Sequence, residues 1–152
     1  MSDRLLPHVL SAVLQNGAFV RKLACGNSMY PFIRDRDIVI IEPFNRRPHL
    51  GDVVAFCHPK FYGLAIHRIV GRRKNLFLLK GDNATRADGW LSFSELTGCI
   101  VQTERNASLR RPQFRLESML IAGLSRMGLL IPLRKTIKSN TPGMVSLLQR
   151  IF

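Results

Sequence analysis

Leu64-Ala65-Ile66-His67-Arg68-Ile69-Val70-Gly71, followed by Asn75-Leu76-Phe77-Leu78-Leu79-Lys80 and the turn former Gly81-Asp82, sets the reading of this chain. Both runs are short, rich in Ile, Val, Leu and Phe, and bounded by turn-forming residues, which predicts strands. Similar segments lie around 18–24, 37–42, 52–57 and 98–103, separated by Gly26-Asn27, Pro43, Pro48, Gly51-Asp52 and Pro59. On either side of this β region the period is helical. Leu5, Leu6, Val9, Leu10, Val13 and Leu14 recur at helical spacing before Asn16-Gly17, predicting a helix over 4–16. Leu116, Met119, Leu120, Leu124, Met127, Leu130 and Ile131 form a broad apolar face opposite Arg115, Ser118, Ser125 and Arg126, with Pro132 as the expected stop. Thr141-Pro142 fits the N-cap and first-turn proline of a last helix. The expected fold class is therefore mainly β: an N-terminal amphipathic helix within 1–17, a β domain over 18–103, and a basic helical extension over 104–152.

The chain has 152 residues, 46% hydrophobic and 22% charged, enough for one domain with a real core and incompatible with a disordered or collagen-like chain. Lys and Arg number 23 against 10 Asp and Glu, a net charge of +13, so the surface attracts something acidic. The aromatic residues are mostly Phe, and no basic stretch is interleaved with them as a base-stacking platform, which disfavours nucleic acid. Residues 104–152 hold nine basic and two acidic residues, and Arg126, Arg134, Lys135 and Lys138 lie beside the apolar helix face. That pattern suits either packing on the β domain or a peripheral contact of 114–152 with an anionic membrane surface. Cys25, Cys57 and Cys99 have no metal-clip or redox-pair spacing, so neither a metal nor another cofactor is expected, and a reducing compartment is. The longest uncharged stretch, Leu5 to Val20, contains His8, Gln15, Asn16 and Gly17 and falls short of a bilayer span. With no secretory pattern at the start, the expected location is cytoplasmic, at most peripheral at the inner face of a membrane.

Three segments of the β region carry groups suited to nucleophilic chemistry: Gly26-Asn27-Ser28-Met29-Tyr30-Pro31, Ile66-His67-Arg68-Ile69-Val70, and Lys80-Gly81-Asp82-Asn83 continuing to Asp88. A serine hydroxyl needs a base to remove its proton, and an imidazole base needs a carboxylate to hold its tautomer and stabilise its charged form. Gly26 and Asn27 permit a tight backbone approach before Ser28, and Pro31 stiffens the chain after it, leaving amide hydrogens for a developing oxyanion. Taken singly, Ser28, Asp82 and Asp88 read as turn residues and His67 as a half-buried strand histidine.

Their order and neighbours resemble signal peptidase I and its relatives, the serine-peptidase superfamily that includes the self-cleaving domains of LexA-type repressors. Ser28-Met29-Tyr30-Pro31 matches the family's nucleophile box, and Arg36-Asp37-Ile38-Val39-Ile40 its following Gly-Asp-x-Val strand, with Arg36 in place of glycine. Gly51-Asp52-Val53-Val54-Ala55-Phe56 is similar to the Gly-Asp-Ile-Val-x-Phe strand, Ile66 to Val70 to the box of the general base, and Lys80 to Asp88 to the Lys-Gly-Asp-Asn box. The histidine in the base box resembles the archaeal and endoplasmic-reticulum type rather than the bacterial lysine type. The resemblance implies Ser28 as nucleophile, His67 as general base, Asp88 as its orienting carboxylate and Asp82 as a second required carboxylate, structural or electrostatic. It implies the Ser28 amide as an oxyanion donor, with Gly26 where relatives often carry a helping serine and Asn27 as a substitute donor. Met29 and Tyr30 are expected beside shallow pockets for small side chains. The function implied is a serine endopeptidase cutting an extended peptide or precursor protein, signal-peptide-like or leader-like; the alternative is a catalytically silent peptide-binding or membrane-associated β module.

Overall fold

The computed structural model describes residues 6–58, 63–110 and 115–129, with Pro132. Helix α1 (Leu6–Gln15) precedes strands β1 (Val20–Leu23), β2 (Ile38–Glu42), β3 (Val53–Cys57), β4 (Leu64–Arg73), β5 (Leu76–Lys80) and β6 (Gly89–Ser92). A 3-10 turn (Phe93–Glu95), β7 (Leu96–Arg105), β8 (Ser108–Arg110) and helix α2 (Arg115–Arg126) follow. The eight strands form one antiparallel sheet in the order β1-β2-β7-β3-β4-β5-β6, with β8 paired to β7. The mainly β class and the N-terminal helix are those the sequence predicts.

β3 explains why the sheet carries two cores. Its residues alternate between faces: Val53 and Ala55 belong to a cluster with Leu14, Met29, Val39, Ile41 and Ile100, whereas Val54 and Phe56 join Ile69, Phe77, Leu79, Leu91 and Leu96. Both faces of β3 are covered, which is why its sequence is an unbroken apolar run. Register shifts at Ile40/Ile41, Ala55/Phe56 and Ile69/Gly71 interrupt the ladders, the kind of irregularity that bends a strand. α1 rests on β7 at Gly98, where a Cβ would lie 2.7 Å from the Glu42 carbonyl oxygen and 3.1 Å from Leu14.

Three features were not anticipated. β6, built from Gly89-Trp90-Leu91-Ser92, is too short and polar to stand out. β8 carries the sheet past residue 103 to Arg110, across a turn in which Asn106 and Ala107 both take positive φ, and alanine there disguises the hairpin. α2 stops at Arg126, before Pro132, because Gly128 adopts φ +71. The Gly128 N–H donates to the Ser125 carbonyl (3.1 Å) and the Leu129 N–H to that of Leu124 (3.0 Å), a Schellman cap. α2 packs on the sheet through Ile121, Ala122 and Ser125, leaving Met119, Leu120 and Met127 exposed. The helix expected from Thr141 and the cluster Arg134, Lys135 and Lys138 lie outside the described residues. Among the described residues no helix is long and apolar enough to cross a membrane.

The segment 24–37 that carries Ser28 is tied down at its end by Asp37. Arg105 of β7 donates from Nε and Nη2 to the two Asp37 oxygens (2.7 and 2.6 Å), and the Arg34 N–H adds a third bond (2.8 Å). Burial pushes the Asp37 pKa up, but the hydrogen bonds and charges of Arg105 and Arg34 outweigh it, so the net shift is downward. A carboxylate depressed in the folded state adds stability that is complete above its unfolded pKa, about 3.9, and is lost as pH falls through the folded value. Asp37→Asn is expected to cost on the order of 3 kcal/mol at neutral pH in urea denaturation, with a smaller deficit at pH 3; a deficit equal at both pH values overturns this account.

Arg36, where relatives carry glycine, has φ +67, the left-handed region that penalises a Cβ. Its side chain is 87% exposed and its contact with Asp35 is long at 3.9 Å, so little opposes the strain. Arg36→Gly is expected to raise unfolding stability by about 1 kcal/mol; an unchanged or lowered denaturation midpoint refutes it.

Candidate active site

β4 supplies two adjacent side chains with different duties. His67 and Arg68 face opposite sides of the strand by its period of two, and each is claimed by a carboxylate from the loop after β5. His67 Nδ1 lies 2.6 Å from Asp88 Oδ2. With a carboxylate there as acceptor, Nδ1–H donates and Nε2 keeps its lone pair, the tautomer a general base needs. A Cβ built on Gly81 would sit 3.2 Å from His67 Nε2 and 2.8 Å from the Ser28 carbonyl oxygen. Glycine at 81 is thus what lets the loop, the Ser28 main chain and the His67 imidazole converge.

The same loop grips the Ser28 segment directly. The Asn83 N–H donates to the Ser28 carbonyl (2.7 Å) and Asn83 Nδ2 to the Asn27 carbonyl (3.1 Å). On the other flank Asp35 accepts from the Gly26 N–H (2.8 Å), where Gly26 has φ +86. Among the described residues the amides of Ser28 and Met29 donate to no protein acceptor, leaving two N–H groups beside the serine.

Asp82 lies elsewhere. Its side chain is fully buried and held by Arg68, with Nε at 2.9 Å and Nη2 at 2.7 Å, while Arg68 Nη1 donates to the Gly51 carbonyl (2.9 Å). This is an ion pair in the framework, away from the cleft lining. Lys80 also turns away: its Nζ donates to the Ser125 carbonyl (2.7 Å) and hydroxyl (3.3 Å) in α2. Burial lowers the Lys80 pKa against the opposing pull of Asp82 and Asp88.

A cleft of about 530 Å³ is lined by Ser28, His67 and Asp88, with Met29 in its wall. Asn27 and Tyr30 are outside the lining; Tyr30 stacks under the Arg34 guanidinium, 5.3 Å from the ring centre. Lys22 to Gly26 form one side and Leu64 to Ile66 the other. β1 pairs only with β2, and β5 joins β4 only from Arg68 onward, so Lys22–Leu23 and Leu64–Ile66 each keep one strand edge unpaired among the described residues. Lys22 and Arg86 bring positive charge, and Asp88 is the lone acid of the lining.

A family model described as Peptidase S24-like matches residues 10–97, more than half of the chain. The chain belongs to the Peptidase S24-like family. Membership in the Peptidase S24-like family places it, at that coarse level, among serine-type peptidases. No curated protein matches it closely.

His58 is the site residue that the sequence reading missed. It follows β3, lines the cleft, and brings Nε2 to 3.4 Å from Asp88 Oδ1. Its spacing of two from the core residue Phe56 puts both on one face of the strand direction, but nothing in the sequence pairs it with a carboxylate thirty residues on. Arg68 was visible only as a neighbour of His67.

The two aspartates predict opposite phenotypes. Asp82→Asn leaves the Arg68 charge buried without its partner and is expected to cost about 3–5 kcal/mol of unfolding stability. Asp88→Asn is expected to leave the unfolding midpoint nearly unchanged. Chemical denaturation of both variants checks this, and equal losses would contradict the division.

Proposed function

We propose that this chain is a serine endopeptidase in which Ser28 attacks the carbonyl carbon of an extended peptide, with His67 as general base and Asp88 as its orienting carboxylate. The observation that carries the reading is the 2.6 Å contact of His67 Nδ1 with Asp88 beside a cleft that Ser28 and His67 both line. His67 Nε2 takes the Ser28 hydroxyl proton as the bond to carbon forms, and the negative charge on the substrate oxygen is met by main-chain N–H groups at Ser28 and Met29. Collapse of the tetrahedral species breaks the peptide bond as His67 returns the proton to the leaving nitrogen. Water then repeats the sequence on the acyl-enzyme.

The substrate lies in the cleft as an added strand, using the unpaired edges at Lys22–Leu23 and Leu64–Ile66 for main-chain hydrogen bonds. Buried Met29 limits the depth of the wall, which favours small residues at the cut. A signal-peptide-like or leader-like segment of a precursor protein has this extended, small-residue character. The exposed Met119, Leu120 and Met127 of α2, with Arg126 among them, favour work at an anionic membrane surface.

Wild type and Ser28→Ala, incubated with a mixed peptide library and with anionic or neutral vesicles, are compared by mass spectrometry of new termini. Cleavage after small residues is expected for wild type and a loss of at least about a thousandfold for Ser28→Ala and His67→Ala. Equal cleavage by wild type and Ser28→Ala overturns the reading and leaves the silent module. Faster cleavage with anionic than neutral vesicles supports the membrane surface, and equal rates remove that part.

A further inference from the structure

Asp88 is approached by two imidazoles, and only one is needed to make a base. His67 Nδ1 sits 2.6 Å from Oδ2, and His58 Nε2 sits 3.4 Å from Oδ1. His58 is placed firmly: its N–H donates to the Gly63 carbonyl at 2.8 Å, its side chain is 8% exposed, and its ring packs 5.9 Å from that of Phe56. The His67 ring packs on the same phenyl at 5.7 Å. Phe56, fully buried, is thus a common floor for both imidazoles, with the Asp88 carboxylate spanning them.

From this geometry we infer that His58 is a positioning residue of the site, acting through Asp88 on His67; the inference rests on the peptidase reading given above. The terminal torsion of an aspartate is soft and roughly two-fold, so one contact alone leaves the carboxylate free to rock. Asp88 is anchored through its main chain, the N–H donating to the Leu79 carbonyl at 2.9 Å, but its side chain keeps 11% exposure to water. A second imidazole 3.4 Å from the opposite oxygen, an electrostatic contact longer than an ordinary hydrogen bond, restrains the plane of the carboxylate. The Oδ2 lone pair is then held on the His67 Nδ1–H, and the orientation of the imidazole is held with it. A donor at Oδ1 also draws charge from the carboxylate, so His58 tunes how strongly Asp88 stabilises the His67 imidazolium.

Two replacements separate this role from simple packing. His58→Phe keeps a ring against Phe56 and removes the donor; His58→Gln keeps a donor near the position of Nε2. Both are compared with wild type for kcat and KM on the peptide that wild type cuts, and for the low-field proton resonance of His67 Nδ1–H, assigned by its absence in His67→Gln. The resonance is recorded in the Ser28→Ala background, so it is read whether or not the protein cleaves anything. The expected result is a fall in kcat of about tenfold to a hundredfold for His58→Phe with KM within twofold, a shifted or exchange-broadened His67 signal, and recovery of most of both in His58→Gln. An unchanged resonance and kcat in His58→Phe overturn the inference. So does equal impairment of the Phe and Gln variants with a lowered unfolding midpoint, which assigns His58 to packing. Failure of the peptidase reading itself shows separately, as cleavage insensitive to Ser28→Ala.

Discussion

The buried pair of Arg68 and Asp82 is the interaction on which the site is built. Arg68 projects from β4, Asp82 from the loop after β5, and their side chains keep 4% and 0% exposure. One guanidinium binds Asp82, the Gly51 carbonyl before β3 and, through its face, the ring of Phe32 at 5.3 Å. Phe32 belongs to the segment that follows Ser28. A single cation therefore joins β4, the acidic loop, the start of β3 and the Ser28 segment. Such a pair offsets its own desolvation only when every polar edge is matched, and among the described residues no buried side-chain nitrogen or oxygen lacks a partner. Its directionality fixes a loop that apolar packing alone would leave free to slide.

From that anchor the loop delivers its other groups at set distances. Asn83 holds the Ser28 and Asn27 carbonyls, and Asp88 reaches His67. Gly81 sits where the strands close on one another, and any side chain there would strike the Ser28 backbone. Lys80, one residue earlier, points to the opposite face and pins α2 at Ser125. The helix and the loop of Asp82 and Asp88 thus share a strand end, and the α2 cap at Gly128 completes the seat. The apolar stripe of α2 divides accordingly, with Ile121 and Ala122 against the sheet and Met119, Leu120 and Met127 toward solvent.

The β segments at 37–42, 52–57 and 75–80 were legible because strand period, apolar content and flanking turn residues agree there, and the observed β2, β3 and β5 lie within them. β6 and β8 were not, since a four-residue edge strand holding a glycine and a serine and a three-residue strand after a turn on Asn106-Ala107 carry too little apolar alternation of their own. The end of α2 was read from Pro132, the stronger helix breaker, whereas Gly128 reaches its positive φ first. The cost of Arg36 in a glycine position is visible only in its backbone angle, φ +67.

The order of the Ser28, Asp37, Asp52, His67 and Asp82–Asp88 boxes, the class of the fold and the kinds of groups present were determined by the sequence alone, because they depend on residue identity and local spacing. Which carboxylate meets which cation was decided only by the tertiary structure. Asp82 and Asp88 are six residues apart in one polar loop and look equivalent on paper. Strand alternation sends His67 and Arg68 to opposite faces of β4, and each face selects one aspartate, so that Asp82 is drawn into the interior with Arg68 and Asp88 is left at the cleft between His67 and His58. The loop cannot exchange the two without burying an unpaired charge, and that cost depends on burial, which no local pattern in the chain records.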